Sequence, residues 1–306
     1  MQQDDNSWTI GKLIDWTRKF FESRGIEEPR LEAEILLAHV LGLQRIELYT
    51  NYASTVESTQ RAGFRELVRR RSEHEPSQYL TGCCEFMSLA FKVTPACLIP
   101  RPETELLVEE AVRAITQNQT PPLEQNERAE AGPAPLIADI CTGCGCVAVA
   151  LAVNVPQARL LAADISPDAI ALAKENAEAH SVADRVEFFE GDLLAPLADY
   201  AGKIDVLVAN PPYVTEEEYG ALAPEIRDYE PRDALVAGPA GTEMHRRIIA
   251  EAAEYLKPGG ILLMEIAANQ GDDVLKSLAE AGTYTDEAIL KDYSKHDRVA
   301  RAVRCR

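Results

Sequence analysis

The sequence predicts an α/β protein, a doubly wound and mostly parallel sheet preceded by a small all-α domain. Three observations predict it. Residues 7–75 carry helical periodicity throughout. From residue 136 onward, short apolar runs alternate with alanine-rich helical stretches. A glycine-bearing turn follows the first of those runs, and an aspartate ends the second, the arrangement expected at the carboxyl ends of strands in a doubly wound sheet. A chain of 306 residues suggests roughly two domains. With 46% apolar and 26% charged residues, it can build a core without staples.

The elements follow in order. Residues 31–41 place Ile35, Leu36, His39 and Val40 on one stripe at helical spacing, with Pro29 just ahead of the helix and Gly42 as its C-terminal cap. A second helix over 58–73 carries Phe64, Leu67 and Val68 on one side. Its Arg65, Arg69, Arg70 and Arg71 read as a solvated face, with a docking surface for an acidic partner as the alternative. From Glu85 the pattern becomes β-prone, and Phe86, Leu89, Phe91 and Val93 predict a hairpin. A helix over 103–115 follows, and then the polar, aperiodic stretch 116–135 reads as a loop or disordered insert. Runs 136–140, 159–164, 186–189, 206–209 and 261–266 read as buried parallel strands. Helices are expected over 168–180 and 242–256, and Lys257-Pro-Gly-Gly260 reads as a turn before the fifth strand. The expected division is a helical domain at 1–80, a hairpin linker at 81–100 and the sheet domain at 101–306.

Composition narrows the function. No apolar run approaches the roughly 20 residues of a membrane span, and the acidic N-terminus does not look like a secretory signal. A cytoplasmic protein with no membrane partner is expected. The net charge of −19 divides into −2 for residues 1–80 and −17 for the rest. Phosphate binding usually leaves a basic footprint, so a small-molecule or protein substrate is expected rather than nucleic acid. The seven cysteines read as free thiols in a reducing compartment. Cys141-x-x-Cys144 invites a metal or redox reading, but no second cysteine or histidine pair stands at zinc-ligand spacing. No metal is expected, and these cysteines read as small loop residues.

The chemistry concentrates at strand ends. Asp139-Ile-Cys-Thr-Gly-Cys-Gly-Cys146 closes the first strand, and Gly143 and Gly145 let the backbone turn sharply and approach a ligand. Asp164, ending the second strand, is placed to accept both hydroxyls of a ribose. Together they indicate a nucleoside-bearing cofactor without saying which, and the loop lacks the third glycine of a dinucleotide fingerprint. Asp192 can accept from an adenine amino group with Leu193 against the ring, or it is a turn aspartate. The sharpest signal is Asn210-Pro-Pro-Tyr213 after the fourth strand. An amide nitrogen is a poor nucleophile because its lone pair is delocalised. Acceptors on both N–H groups, here the Asn210 side-chain oxygen and the Pro211 carbonyl, bias it toward an attacking geometry. Pro211 and Pro212 stiffen the backbone, and Tyr213 offers a face to a planar substrate group. Methyl transfer then needs alignment more than an acid or base. The exocyclic amino group of adenine would suit the same motif, although the charge balance disfavours a nucleic acid.

On these residues the chain resembles the peptide chain release factor glutamine N5-methyltransferases, the HemK family, from about residue 31 to 304. Further motifs carrying the resemblance are Pro76-Ser-Gln-Tyr-Leu-Thr-Gly82, Phe91-Lys-Val93, Leu98-Ile-Pro-Arg-Pro-Glu-Thr-Glu105, Asp164-Ile-Ser-Pro167, Tyr229-Glu-Pro-Arg232 and Asp297-Arg-Val299. The resemblance implies a class I, Rossmann-like seven-stranded methyltransferase domain whose last strand pair is antiparallel, and a helical domain that helps recognise the release factor. It implies S-adenosylmethionine as cofactor, with Asp139 among the residues that bind it and Cys141, Thr142, Gly143, Cys144 and Gly145 lining its methionine portion. Asp164 would hold its ribose, and Asp192 and Leu193 would border its adenine. Asn210, Pro211, Pro212 and Tyr213 would hold the glutamine of a Gly-Gly-Gln-type motif, Asn210 also bordering the cofactor, with Arg101 and Glu103 beside the active site. The chain departs from the family pattern at Cys141 and Cys144, in a loop that usually reads Gly-Thr-Gly-Ser-Gly. It departs again at Ala267, where glycine is expected, and at His245, where an aromatic is usual.

Overall fold

A computed structural model describes residues 8–119 and 134–306, which form two compact units. The first comprises the residues up to Cys83 together with Ala223–Tyr229, and the second the remainder.

Five helices make up most of the first unit: α1 (Ile10–Ser23), α2 (Pro29–Leu41), α3 (Arg45–Thr50), α4 (Ser58–Ser72) and α5 (Ser77–Thr81). Thr9 caps α1 by accepting from the Lys12 N–H, and Gly42 ends α2 at φ 65°, a conformation glycine adopts without a Cβ penalty. The core is Ile14, Phe21, Leu36, Leu37, Leu48 and Phe64 with their neighbours. The buried face of α2 is rotated from the expected stripe. Ala33, Glu34, Leu36, Leu37 and Ala38 are buried, whereas His39 is exposed. Buried Glu34 is tolerated because Arg30, Arg45 and Tyr49 all donate to it. Arg71 likewise leaves the solvated face expected of its run. It is buried, with its guanidinium 2.7 Å from Glu32 and 3.4 Å from Glu225.

The strands β1 (Cys83–Phe86) and β2 (Leu89–Lys92) form the expected hairpin. Its two turn residues, Met87 and Ser88, both take positive φ, as a tight two-residue hairpin requires. After a 3-10 turn at Pro102–Thr104, α6 runs from Glu105 to Gln119, so residues 116–119 are helical and not loop. The rest of the expected insert, residues 120–133, lies outside the described residues, and Ala134 and Pro135 lead into the sheet.

The chain then alternates as β3 (Leu136–Ile140), α7 (Cys146–Asn154), β4 (Arg159–Asp164), α8 (Pro167–Ala179), β5 (Val186–Glu190), β6 (Ile204–Ala209), β7 (Val214–Thr215), α9 (Glu216–Ala221), α10 (Pro224–Arg227), β8 (Val236–Gly238), α11 (Glu243–Tyr255), β9 (Leu256–Glu265), α12 (Gly271–Ala281), β10 (Tyr284–Lys291) and β11 (Asp297–Arg304). Seven strands form one sheet in the order β10-β11-β9-β6-β3-β4-β5, with β11 antiparallel to both neighbours. This is the fold class that the alternation and the resemblance predict. The expected turn at 257–260 is contained within β9 as an irregularity, because Ile204 pairs with Leu256 while Val206 already pairs with Ile261. Gly259 takes φ 82° there, and a Cβ on Gly260 would meet the Ile204 carbonyl at 3.1 Å.

Register sets the site. Ile140 pairs with Ala163 on one side and Ala209 on the other, and Ala209 pairs with Met264. One residue further on, Cys141, Asp164, Asn210 and Glu265 emerge in a row at the carboxyl edge. Strand order reverses beside β3, which is where open α/β sheets take ligands.

Candidate active site

The turn after β3 is held by its own residues. Asp139 is 1% exposed, and its Oδ2 accepts from Thr142 Oγ1 at 2.6 Å and from the Ala148 N–H at 3.1 Å. Burial pushes its carboxyl up to about 7. Cys141, Gly143 and Gly145 all take positive φ, at 62°, 56° and 80°. Cys141 thus adopts a conformation that costs a non-glycine residue about 1–2 kcal/mol, the physical reason a glycine suits that position. A Cβ on Gly145 would meet Ala173 Cβ at 2.9 Å, whereas one on Gly143 would meet nothing within 4 Å. Gly145 therefore packs loop against helix, and Gly143 faces open space. Buried Asn176 ties the loop to the hairpin, donating to the Cys144 and Lys92 carbonyls and accepting from the Lys92 N–H.

At the end of β4, Asp164 accepts from the Gly143 N–H and the Ser166 N–H, both at 2.9 Å. Burial raises its pKa. Asp192 is exposed, with Oδ2 2.7 Å from Arg247, and the adjoining Leu193 is buried at φ 47°.

The Asn210 end is assembled from distant segments. Asn210 Nδ2 donates to Thr104 Oγ1 at 3.3 Å, and Thr104 Oγ1 donates to Glu265 Oε2 at 2.6 Å. The Tyr213 hydroxyl donates to the other oxygen of Glu265 at 3.3 Å. Burial raises the pKa of Glu265 and of Tyr213. His245, fully buried, has Nε2 2.8 Å from the Glu265 carbonyl. A carbonyl only accepts, so Nε2 carries the proton, and burial keeps the ring neutral. His245 thus serves the core as an aromatic would and adds a bond to the strand end. Ala267 does not take positive φ, so the backbone there makes no demand for glycine. Arg101 is ion-paired to buried Glu230, which also accepts from the Ile99 N–H.

These elements enclose a cavity of about 480 Å³, within the range of sites that take small-molecule cofactors. Arg101, Asp139, Cys141, Thr142, Gly143, Cys144, Asp164, Asp192, Leu193, Asn210 and Pro212 line it. Gly145, Pro211, Tyr213 and Glu103 are not among its lining residues, and Glu103 is exposed. Among the described residues no group of three or more His, Cys, Asp or Glu side chains is arranged to hold a metal ion. All seven cysteines are free thiols.

Residues 12–82 match the family model for the PrmC N-terminal domain, and residues 125–226 match that for the methyltransferase small domain. The release factor glutamine methyltransferase of Rhodopirellula baltica is 42% identical over 297 residues, 97% of this chain and 96% of the relative. The chain belongs to the release factor glutamine methyltransferase family. Another member, from Geobacter sulfurreducens, is 42% identical over 299 residues, covering 98% of both chains. The catalytic domain of hMettl16, solved in complex with the MAT2A 3'UTR hairpin 6, superposes with a TM-score of 0.54 at 14% identity, over 81% of this chain and 82% of that one. At that identity it speaks for the fold alone. As a release factor glutamine methyltransferase family member, the chain is a methyltransferase. The sequence reading did not foresee that Thr104, Glu265 and Glu230 would be the buried partners of Asn210, Tyr213 and Arg101. The available signal was a charged residue ending the apolar run Ile261-Leu-Leu-Met-Glu265, since a buried carboxylate demands partners.

Proposed function

We propose that the chain transfers a methyl group from S-adenosylmethionine to the side-chain amide N5 of a glutamine in a peptide chain release factor, within a Gly-Gly-Gln-type motif. One observation carries the reading. Asn210, its amide nitrogen committed to Thr104, lines the same cavity as Gly143 and Asp164. The residues fit the cofactor. Gly143 leaves open space where a Cβ would stand. Each oxygen of Asp164 accepts one backbone N–H and keeps a further lone pair for a ribose hydroxyl.

S-adenosylmethionine supplies an electrophilic methyl group on a sulfonium. Cys141 to Gly145, with Asp139 behind them, would hold its methionine portion, Asp164 its ribose, and Asp192 with Leu193 its adenine. Asn210 Oδ1 and the Pro211 carbonyl accept the two N–H groups of the glutamine amide and hold its nitrogen toward the methyl. Neither takes a proton outright. As the nitrogen–methyl bond forms, the sulfonium–methyl bond would break to leave S-adenosylhomocysteine, and the methylated nitrogen would give its surplus proton to water. Pro212 stiffens the backbone beside them, Tyr213 borders the amide plane, and Arg101 and Glu103 border the incoming peptide. The helical unit would dock the release factor in the cytoplasm, with neither nucleic acid nor membrane as partner.

The test is incubation with isotope-labelled S-adenosylmethionine and a purified release factor, followed by peptide mass spectrometry. A single methyl on one glutamine is expected. An unlabelled release factor, or label on another residue type, would overturn the proposal.

A further inference from the structure

The first and last residues of Asn210-Pro-Pro-Tyr213 are tied to one buried carboxylate. Tyr213 reaches Glu265 directly, and Asn210 reaches it through Thr104. Thr104 and Glu265 are 2% and 1% exposed, so a polar group left without a partner there is costly. The polarity of this chain of bonds is fixed at its far end. A carboxylate only accepts, so the single hydroxyl hydrogen of Thr104 points at Glu265. The threonine oxygen then has only lone pairs to offer Asn210, and an amide can meet lone pairs only with its NH₂ end. If the Asn210 amide turned over, its Oδ1 would face those lone pairs, acceptor against acceptor.

We infer that Thr104 and Glu265 are positioning residues that fix which end of the Asn210 amide faces the reacting group. The inference rests on the role given to Asn210 above. Thr104 donates nothing to the substrate. It holds the asparagine oxygen free of internal partners and aimed as an acceptor, and the carboxylate imposes that direction on the threonine. His245 anchors the backbone of the same glutamate.

The test compares Thr104→Val, Thr104→Ser and Asn210→Ala, each alone, and the Thr104→Val/Asn210→Ala pair, with release factor and S-adenosylmethionine. Thr104→Val should lower kcat by about 10–100-fold, the range for removing a group that orients a site residue. Cofactor Kd by calorimetry and KM for release factor should stay near wild type. Thr104→Ser keeps the hydroxyl and should restore kcat. In the Asn210→Ala background Thr104→Val should cost nothing more, because the group it orients is gone. Should Thr104→Val fail to fold, Thr104→Ala carries the same expectation, since it too removes the hydroxyl that Asn210 donates to. If Asn210→Ala turns over like wild type, the role of Asn210 falls and this inference with it. If Asn210→Ala is impaired while Thr104→Val is not, or if their losses multiply, this inference alone is overturned.

Discussion

Two carboxylates of equal burial stand under the two ends of the site, and they are held in opposite ways. Asp139 and Glu265 are each 1% exposed. The donors to Asp139 lie 3 and 9 residues further along the chain. Those to Glu265 lie 161 and 52 residues away. The carboxylate under the glycine turn is therefore satisfied within one short segment. The Asn210 end exists only once three separated segments have packed. The amide to which the proposed chemistry gives a fixed direction thus sits where segments far apart in sequence meet.

Breaking the remote end should have the largest effect. Asn210→Ala is expected to lower kcat by about two to three orders of magnitude, as for removing one positioned polar group at a reacting centre, with cofactor affinity little changed. Steady-state kinetics beside calorimetry checks this. Asn210→Asp retains acceptor capacity and should keep more activity than the alanine variant. At the local end the loss should appear in binding. Asp164→Ala should weaken S-adenosylmethionine by about 1.5–3 kcal/mol, the range for hydrogen bonds to a charged group, measured by titration calorimetry.

The carboxylate at the local end should also show in the pH dependence of stability. Asp139 has a folded pKa of about 7 against an ordinary 3.8. Between those values the folded state holds more protons than the unfolded one. The contribution of Asp139 to stability is therefore complete below the lower value and is lost as pH rises through about 7, at up to about 1.4 kcal/mol per pH unit. Denaturation of wild type and Asp139→Asn across pH 4–8 should show the wild type losing more stability. Parallel curves would remove Asp139 as the source. The smallest effect is expected from Cys141→Gly with Cys144→Ser. Glycine relieves the positive φ at 141 but adds backbone entropy of about 0.5–1 kcal/mol to the unfolded chain, so activity and stability should both stay near wild type. Activity lost in this double variant would give the thiols a role of their own.

Legibility in the sequence follows the same division. The strand bounds 136–140 and 159–164 can be read from apolar runs, and the glycine turn, Asp164 and Asn210-Pro-Pro-Tyr213 from short strings at the ends of those runs. Thr104 and Glu265 cannot, because each derives its role from a residue dozens to hundreds of positions distant. Arg71 is misread for the same reason. On its own helix it belongs to an arginine run, and only Glu32 and Glu225 explain its burial. His39 shows the converse error, since local spacing puts it on a buried stripe while packing of α2 chooses the neighbouring face.

The ion pair between Arg71 and Glu225 spans 154 residues, and that span has a meaning for vectorial synthesis. Ribosomes extend a chain by about 5–20 residues per second, so Arg71 is made roughly 8–30 s before its second carboxylate exists. Tyr229, which donates to the Glu73 carbonyl, arrives later still. Through that interval the nascent helices have every apolar residue of their own core but only Glu32 to neutralise Arg71. The helical unit is first in translation, yet its last stitches are tied by residues that emerge after most of the sheet's strands.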